Sequence, residues 1–175
     1  MAKYRIPLQI LLLLFLSGCD LFKSANKTEQ LPPATQEGKN TFGCLVNGKV
    51  WLPNGNDGTS NLDLSYDPTF YFGTFNLSAY RLEDIVFQSI TLYSDSLKSV
   101  GIYPLVDPKR QSAFYTDIRG NCEYTNDPDV THTGIMTITR FDLSQQIIAG
   151  TFEFTVTKTN CPLIVVTEGR FDMKF

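Results

Sequence analysis

Among the residues of this chain that can do chemistry, Cys19 has the most informative neighbours. Cys19 directly follows Leu16, Ser17 and Gly18, so a thiol stands after two small residues and one apolar residue. The thiolate form of cysteine is a nucleophile, and small residues before it are typical of a leader cleavage site. The pattern predicts cleavage behind Gly18, which would make Cys19 the new N-terminus.

The residues before Cys19 are organised like an export signal. Lys3 and Arg5 form a basic start, and a mostly apolar run follows over residues 6–16. The run is shorter than the roughly 18–20 residues that span a bilayer, so it predicts a cleaved leader rather than a membrane helix. Residues 1–18 resemble a bacterial lipoprotein signal, which implies a diacylglycerol on Cys19 and a further acyl chain such as palmitate. Two or more acyl chains give stable anchoring.

Other residue types that do chemistry give no catalytic pattern. His132 is the one histidine, in a polar stretch where we expect a solvated loop residue, and no G-x-S-x-G nucleophile motif occurs. The remaining cysteines have no C-x-x-C spacing, so we expect no metal site and no cofactor. Five carboxylates cluster in two predicted loops and are interpreted as turn residues, with calcium binding or a glycosidase pair as alternatives: Asp57, Asp63, Asp67, Asp127 and Asp129.

Aromatic residues form a dense set between residues 51 and 72, namely Trp51, Tyr66, Phe70, Tyr71 and Phe72. Aromatic rings fill cores and also stack on sugars. We expect core packing for Trp51, and the alternation leaves Tyr71 as the best candidate for an exposed ring.

The elements that position these residues are predicted to be strands. The formal net charge of −3 becomes more negative once the leader is removed, which argues against a nucleic-acid binder. Residues 20–40 are polar, contain Pro32-Pro33 and show no apolar period. We therefore predict three segments: a signal peptide over 1–18, a lipid-anchored flexible tether over 19–40 and a single all-β domain over 41–175.

The domain opens with a hairpin signal and continues with short strands. Asn47-Gly48 separates two apolar runs, as in a two-residue type I′ turn. Residues 54–69 are predicted to be a long loop. A strand over 70–80 would bury Phe70 and Phe72 through a bulge near Gly73, and a strand over 85–93, apolar on both faces, is predicted to be central.

The last third of the chain predicts an antiparallel meander over residues 134–141, 147–157 and 163–175, with one wet face. The expected core comprises Phe152, Phe154, Val165, Phe171 and Met173. We predict a two-layer sandwich of about eight or nine strands, with a lipocalin-like barrel as the alternative.

The strand order also suggests which cysteines pair. The loop that holds Cys161 should lie at the same end as the loop after Cys122, so these two are predicted to form a disulfide. Cys44 lies in an apolar strand and is expected to stay buried and reduced.

The two ends of the domain carry a resemblance. The opening Phe42-x-x-x-Val46-Asn47-Gly48-Lys49-x-Trp51 and the closing segments 149–154 and 166–172 are similar to a family of small uncharacterised lipoproteins of Bacteroidota-type bacteria. The resemblance implies a compartment and a fold class but assigns no activity. Asp95-Ser96-Leu97 resembles the short acceptor pattern for O-glycosylation in such bacteria, with Ser96 as the acceptor.

These observations predict a membrane-anchored protein of the bacterial cell envelope, with the membrane and leaflet left open. We expect a non-enzymatic structural or interaction module. A carbohydrate- or small-ligand-binding lipoprotein is the alternative, and a hydrolase comes third. The partner, protein or glycan, is not specified by the sequence.

Overall fold

The computed structural model describes residues 29–118 and 122–175. The predicted signal peptide and lipidation site, Cys19, lie outside the described residues. The strands, in chain order, are β1 Thr41–Val46, β2 Lys49–Trp51, β3 Leu62–Asp67, β4 Thr74–Glu83, β5 Val86–Ser94, β6 Gly101–Pro104, β7 Gln111–Asp117, β8 Cys122–Tyr124, β9 Val130–Asp142, β10 Ile147–Lys158 and β11 Ile164–Lys174. The described part of the chain contains no helix long and apolar enough to cross a bilayer.

The strands form two antiparallel sheets that pack on each other. The six-stranded sheet has the order β2-β1-β11-β10-β9-β6, and the five-stranded sheet has the order β3-β4-β5-β7-β8. Neither sheet closes on itself, so the predicted all-β two-layer sandwich is confirmed and the barrel alternative is wrong. The strands exceed the expected eight or nine because β3 and the three-residue β8 were not predicted.

Local chemistry explains the confirmed elements. Asn47 and Gly48 both have positive φ, 48° and 78°, as a type I′ hairpin between β1 and β2 requires. β5 is the middle strand of its sheet, as its apolar faces predicted. The C-terminal meander is β9-β10-β11, in which each strand pairs with the next.

Phenylalanine and glycine face each other across the central strands of the six-stranded sheet. The cross-strand pairs are Phe152 with Gly169, Phe171 with Gly150 and Phe154 with Gly134. A Cβ at Gly169 would lie 2.5 Å from the Phe152 ring, so the glycine leaves the space that the ring fills. These phenylalanines and Met173 are buried as predicted.

Val165 is a wrong core prediction. It is only half-buried, and its neighbours Ile164 and Val166 face the core instead. The cause is an irregularity in the β10–β11 register between Phe152 and Phe154, opposite which Glu168 has a φ of 52°. One extra residue there inverts the side-chain alternation on either side of it.

The predicted tether is partly packed against the domain. Residues 29–40, which we call the strap, lie along the sandwich, so the domain begins before the expected boundary at residue 41. The buried Asp172 carboxylate of β11 accepts hydrogen bonds from the Thr35 hydroxyl at 2.6 Å and from the N–H groups of Glu37, Gly38 and Lys39 at 2.9, 2.6 and 3.3 Å.

The pKa of Asp172 reflects this environment. Burial of the carboxyl raises its pKa, but the hydrogen bond from Thr35 and the backbone bonds from Glu37, Gly38 and Lys39 outweigh burial and lower the pKa overall. The carboxylate therefore fastens the strap to the sheet in its charged form.

The cysteines have the expected arrangement. A disulfide joins Cys122 of β8 to Cys161 in the β10–β11 turn, with a Cα–Cα distance of 5.9 Å. Cys44 is free and fully buried, and burial raises the pKa of its thiol. The bridge ties an edge strand of one sheet to the meander of the other.

Candidate functional site

Three consecutive aromatic residues project into solvent between β3 and β4. Phe70, Tyr71 and Phe72 are 55%, 61% and 70% exposed, and we call these three residues the aromatic loop. The predicted strand over 70–80 is wrong in its first four residues, because β4 begins only at Thr74. The loop predicted over 54–69 is also wrong in part, since it contains β3.

A carboxylate at the end of β3 starts the turn. Asp67 accepts hydrogen bonds from the Thr69 hydroxyl at 2.7 Å, the Thr69 N–H at 2.8 Å and the Phe70 N–H at 3.2 Å. The bonds from Thr69 are the main cause of a lowered pKa at Asp67. The Asp67 carboxylate therefore stabilises the turn that begins the loop, a common role of aspartate and asparagine in turns.

The backbone of the aromatic loop is strained. Tyr71 and Phe72 have φ angles of 48° and 78°, and Gly73 follows with 112°. Left-handed conformations are uncommon for bulky residues and cost on the order of 1–3 kcal/mol each. Two adjacent aromatic residues in this conformation are an outlier of the kind that clusters at functional sites.

The rest of the fold holds the loop in place. The Leu97 N–H donates to the Gly73 carbonyl at 2.9 Å, and the Tyr66 hydroxyl donates to the Leu97 carbonyl at 2.9 Å. A Cβ on Gly73 would lie 2.2 Å from the Leu97 oxygen, so only glycine permits this approach. Tyr66 packs edge-on against Phe141 and Phe175, which links the loop to the six-stranded sheet.

The three rings present different faces. Phe70 and Tyr71 contact each other edge to face, with centroids 4.4 Å apart, and the Lys98 ammonium lies 4.6 Å from the Phe72 centroid. A cation over a ring face is attracted by the ring quadrupole. The loop is therefore an exposed aromatic cluster with one positive charge beside it.

The outward face of the five-stranded sheet adjoins this cluster. Asn76 pairs with Tyr93, and Ser78 pairs with Thr91, whose other neighbour is Phe114. Burial is the main reason that the pKa of Tyr93 is raised, and nearby Asp95 and Tyr71 contribute further. The aromatic loop leads directly into β4 at Thr74, so it stands at the end of this sheet face.

A separate groove lies on the outer face of the six-stranded sheet. It has a volume of about 400 Å³ and is bordered by Ala34 of the strap, Thr137, Thr151, Glu153 and Arg170, among others. Arg170 is paired with Glu168 at 3.3 Å. The groove shows where the strap leaves part of the sheet uncovered.

His132 was expected to be a solvated loop residue, and that prediction is wrong. It lies on β9 and is only 6% exposed. Its Nδ1 is 3.1 Å from the Ser112 hydroxyl and 3.0 Å from the Ala113 carbonyl oxygen, and its Nε2 is 3.1 Å from the Thr125 oxygen. Its ring fills the part of the β7 edge that the short β8 leaves unpaired, a role that a single sequence does not reveal.

The carboxylates singled out in the sequence are not gathered into one site. Among the described residues, no group of three or more acidic, histidine or cysteine side chains is placed to hold a metal ion. Asp57 accepts from Thr59 and from the Tyr80 hydroxyl at 2.8 Å, and Asp127 pairs with Lys158 at 2.8 Å. Asp57 and Asp67 stabilise turns, as the first interpretation held, and Asp127 pairs across to β10. The interpretation is wrong for Asp63, which lies on β3 because that segment forms a strand and not the predicted loop.

Ser96 and Trp51 also have structural partners. The Ser96 hydroxyl accepts from the Gln111 amide at 2.9 Å and is half-buried, beside the fully buried Leu97. Trp51 is buried, as expected, and its indole N–H donates to the Gln88 side chain at 3.1 Å.

The fold and the site define an antiparallel β-sandwich that displays an exposed aromatic loop at one end. Residues 73–173, which span β4 to β11, match the model of a family described as a domain of unknown function, DUF6252, and the chain belongs to that family. No curated protein and no solved structure matches the chain.

Proposed function

We propose that this chain is a lipid-anchored protein of the bacterial cell envelope whose domain is a binding module rather than an enzyme. The single observation that carries the binding role is the aromatic loop. Three exposed rings on a strained backbone are costly to keep in water, and exposed apolar groups of this kind mark interaction sites.

The anchoring part of the proposal rests on the leader and on two supporting features. The sequence pattern ending at Cys19 predicts lipidation. The disulfide between Cys122 and Cys161 fits an oxidising compartment such as the bacterial envelope. The opening and closing motifs of the domain support assignment to small lipoproteins of Bacteroidota-type bacteria.

The position of the strap bears on how the anchored domain is oriented relative to its membrane. Glu29, the first described residue, contacts Arg81 at 3.2 Å, whereas the aromatic loop precedes Thr74 at the opposite end of β4. Seven residues along a strand span about 24 Å. The ten residues from Cys19 to Glu29 reach at most about 33–36 Å when extended. Because this reach exceeds the separation along β4, the tether lets the domain turn, and the aromatic loop, at the end of β4 opposite the attachment, is free to point away from the membrane.

Metabolic labelling tests the anchor. Cells that express the full chain are grown with an alkyne analogue of palmitate, and the protein is then isolated and coupled to a dye. The wild-type chain should carry the label and sediment with membranes. Cys19→Ala should lose both properties, while Cys44→Ala, the control at a buried thiol, should keep them. Label that persists in Cys19→Ala would contradict the proposal.

A further inference from the structure

The outward face of the five-stranded sheet, together with the aromatic loop, has the chemistry of a polysaccharide-binding surface. The half of this face nearer the loop, on β4, β5 and β7, carries only uncharged side chains, among them Thr74, Asn76, Ser78, Thr91, Tyr93 and Phe114. Hydroxyl and amide groups alternate with rings. The acidic residues on this side of the sheet stand on its two edge strands, Asp63 and Asp67 on β3 and Glu123 on β8, and Asp67 is bonded within its own turn.

The far half of the face is already covered. Tyr80 stacks on Phe87 with centroids 5.5 Å apart, and its hydroxyl is bound by Asp57 in the loop before β3. The open part of the face therefore lies next to the aromatic loop, so a ligand that contacts Tyr71 also meets Asn76 and Tyr93.

A buried acceptor stands at the margin of the open part. Asp95 is only 9% exposed, and its Oδ2 accepts from Arg110 Nε at 3.1 Å. Its Oδ1 is buried and has no hydrogen-bond partner among the described residues. Buried acceptors are rarely left unpaired, and a sugar hydroxyl that displaces the groups covering Oδ1 would supply the missing donor beside Tyr93.

We infer that the aromatic loop and this sheet face bind a neutral polysaccharide. The inference rests on the proposed binding role and names its ligand class. A neutral polymer matches the uncharged side chains of the inner strands, whereas the carboxylates on the edge strands would repel an acidic polymer. Its sugar rings stack on aromatic rings, and its hydroxyls pair with Asn76, Ser78 and Thr91. The cores of protein interfaces are instead poor in serine, and a lipid surface would call for more basic residues than Lys98.

The openness of the face specifies a chain rather than a single sugar. Beside the loop, Asn76 of β4 is exposed and Thr91 and Tyr93 of β5 are partly exposed, while Ser112 of β7 is buried, so a ligand can extend along β4 and β5. The groove near Glu153 lies on the other sheet and is bordered by an acidic side chain, which is a different environment.

Affinity electrophoresis tests the inference with defined polymers. The full chain, in detergent, is run through native gels that contain laminarin, xylan, galactomannan or glycogen, with polygalacturonate as the charged comparison. At least one neutral polymer should retard the wild-type chain more than polygalacturonate does. Tyr71→Ala and Phe72→Ala should weaken binding tenfold or more. Ile85→Ala removes an exposed apolar side chain at the opposite end and should bind like the wild type.

A second variant avoids any effect on the folding of the loop. Asn76→Arg places a large charged side chain at an exposed position of the face and should also weaken binding at least tenfold, with an unchanged urea midpoint. The inference would be overturned if none of the four neutral polymers retarded the wild-type chain. It would also be overturned if Tyr71→Ala and Asn76→Arg bound as tightly as the wild type. If a photo-crosslinker at position 72 then joins the anchored chain to a protein in intact cells, the binding role stands and the polysaccharide assignment fails.

Discussion

Replacement of Asp172 by asparagine should release the strap while leaving the sandwich folded. The side chain keeps its shape, and its remaining oxygen can still accept from the Gly38 N–H. The amide nitrogen, however, replaces the Oδ2 that accepts from the N–H groups of Glu37 and Lys39. The Thr35 hydroxyl can turn to accept from the amide, but backbone N–H groups cannot.

The structure sets the size of this effect. A hydrogen bond to a charged group contributes about 1.5–3 kcal/mol. The bond from Lys39 is long, at 3.3 Å, so its loss counts for less than the loss of the 2.9 Å bond from Glu37. The strap should lose about 3 kcal/mol of stability, which corresponds to a roughly hundredfold larger population of the released form, at tenfold per 1.4 kcal/mol.

Trypsin can measure this population, because Lys39 lies in the strap next to the bonded N–H groups. When opening and closing are fast relative to cleavage, the cleavage rate follows the population of the open form. Cleavage after Lys39 should therefore accelerate roughly a hundredfold in Asp172→Asn, while cleavage after Lys158 in β10 stays slow. Asp63→Asn, at an exposed position on β3, is the matched control. Equal cleavage after Lys39 in both variants would refute the reasoning.

Three further predictions concern stability. The folded pKa of Asp172 lies below the value of about 3.9 in unfolded chains, so its carboxylate stabilises the fold above that pH. This stabilisation disappears as the pH falls through the lowered pKa. Below pH 4, the urea midpoint of Asp172→Asn should therefore change less with pH than the urea midpoint of the wild type. Gly169→Ala should cost about 2–3 kcal/mol in urea unfolding, because its Cβ would meet the Phe152 ring and backbone at 2.5 Å; a cost below about 0.5 kcal/mol would show that the ring moves aside. Reduction of the Cys122–Cys161 bridge, which closes a loop with a sequence separation of 39, should cost about 3–4 kcal/mol, and an unchanged midpoint under reductant would contradict its role.

The parts of the fold that follow from local patterns could be predicted from the sequence. Asn47-Gly48 determines its own turn, and the alternation of Phe152 with Phe154 identifies a strand with one buried face. Such signals depend on neighbours in the chain, so no long-range contact is needed to interpret them.

Long-range contacts decided what the sequence did not show. Phe70 and Phe72 have the alternation of a buried strand, but the Asp67 turn and the contact of Gly73 with Leu97 expose them. His132 is buried because the short β8 leaves carbonyl oxygens free at the β7 edge. Asp172 had the alternation of an outward polar residue, and only the returning strap buries it.

The candidate site was therefore only partly predictable. Tyr71 was expected to be exposed, yet its neighbours were assigned to the core, and Lys98 was not connected with the loop at all. The one signal that could have indicated the loop is Asp67 followed by Thr69, since this spacing favours a turn rather than a continuing strand.

The orientation of the anchored domain tests the central claim most directly. A fluorescent label is attached to Tyr71→Cys or to Ile85→Cys, and each lipidated protein is placed on vesicles that carry a quencher in the lipid headgroups. The proposed arrangement predicts strong quenching at position 85, near the strap exit, and little at position 71, in the aromatic loop. Stronger quenching at position 71 than at position 85 would show that the loop faces the membrane and would contradict the claim that it is displayed for a ligand beyond it.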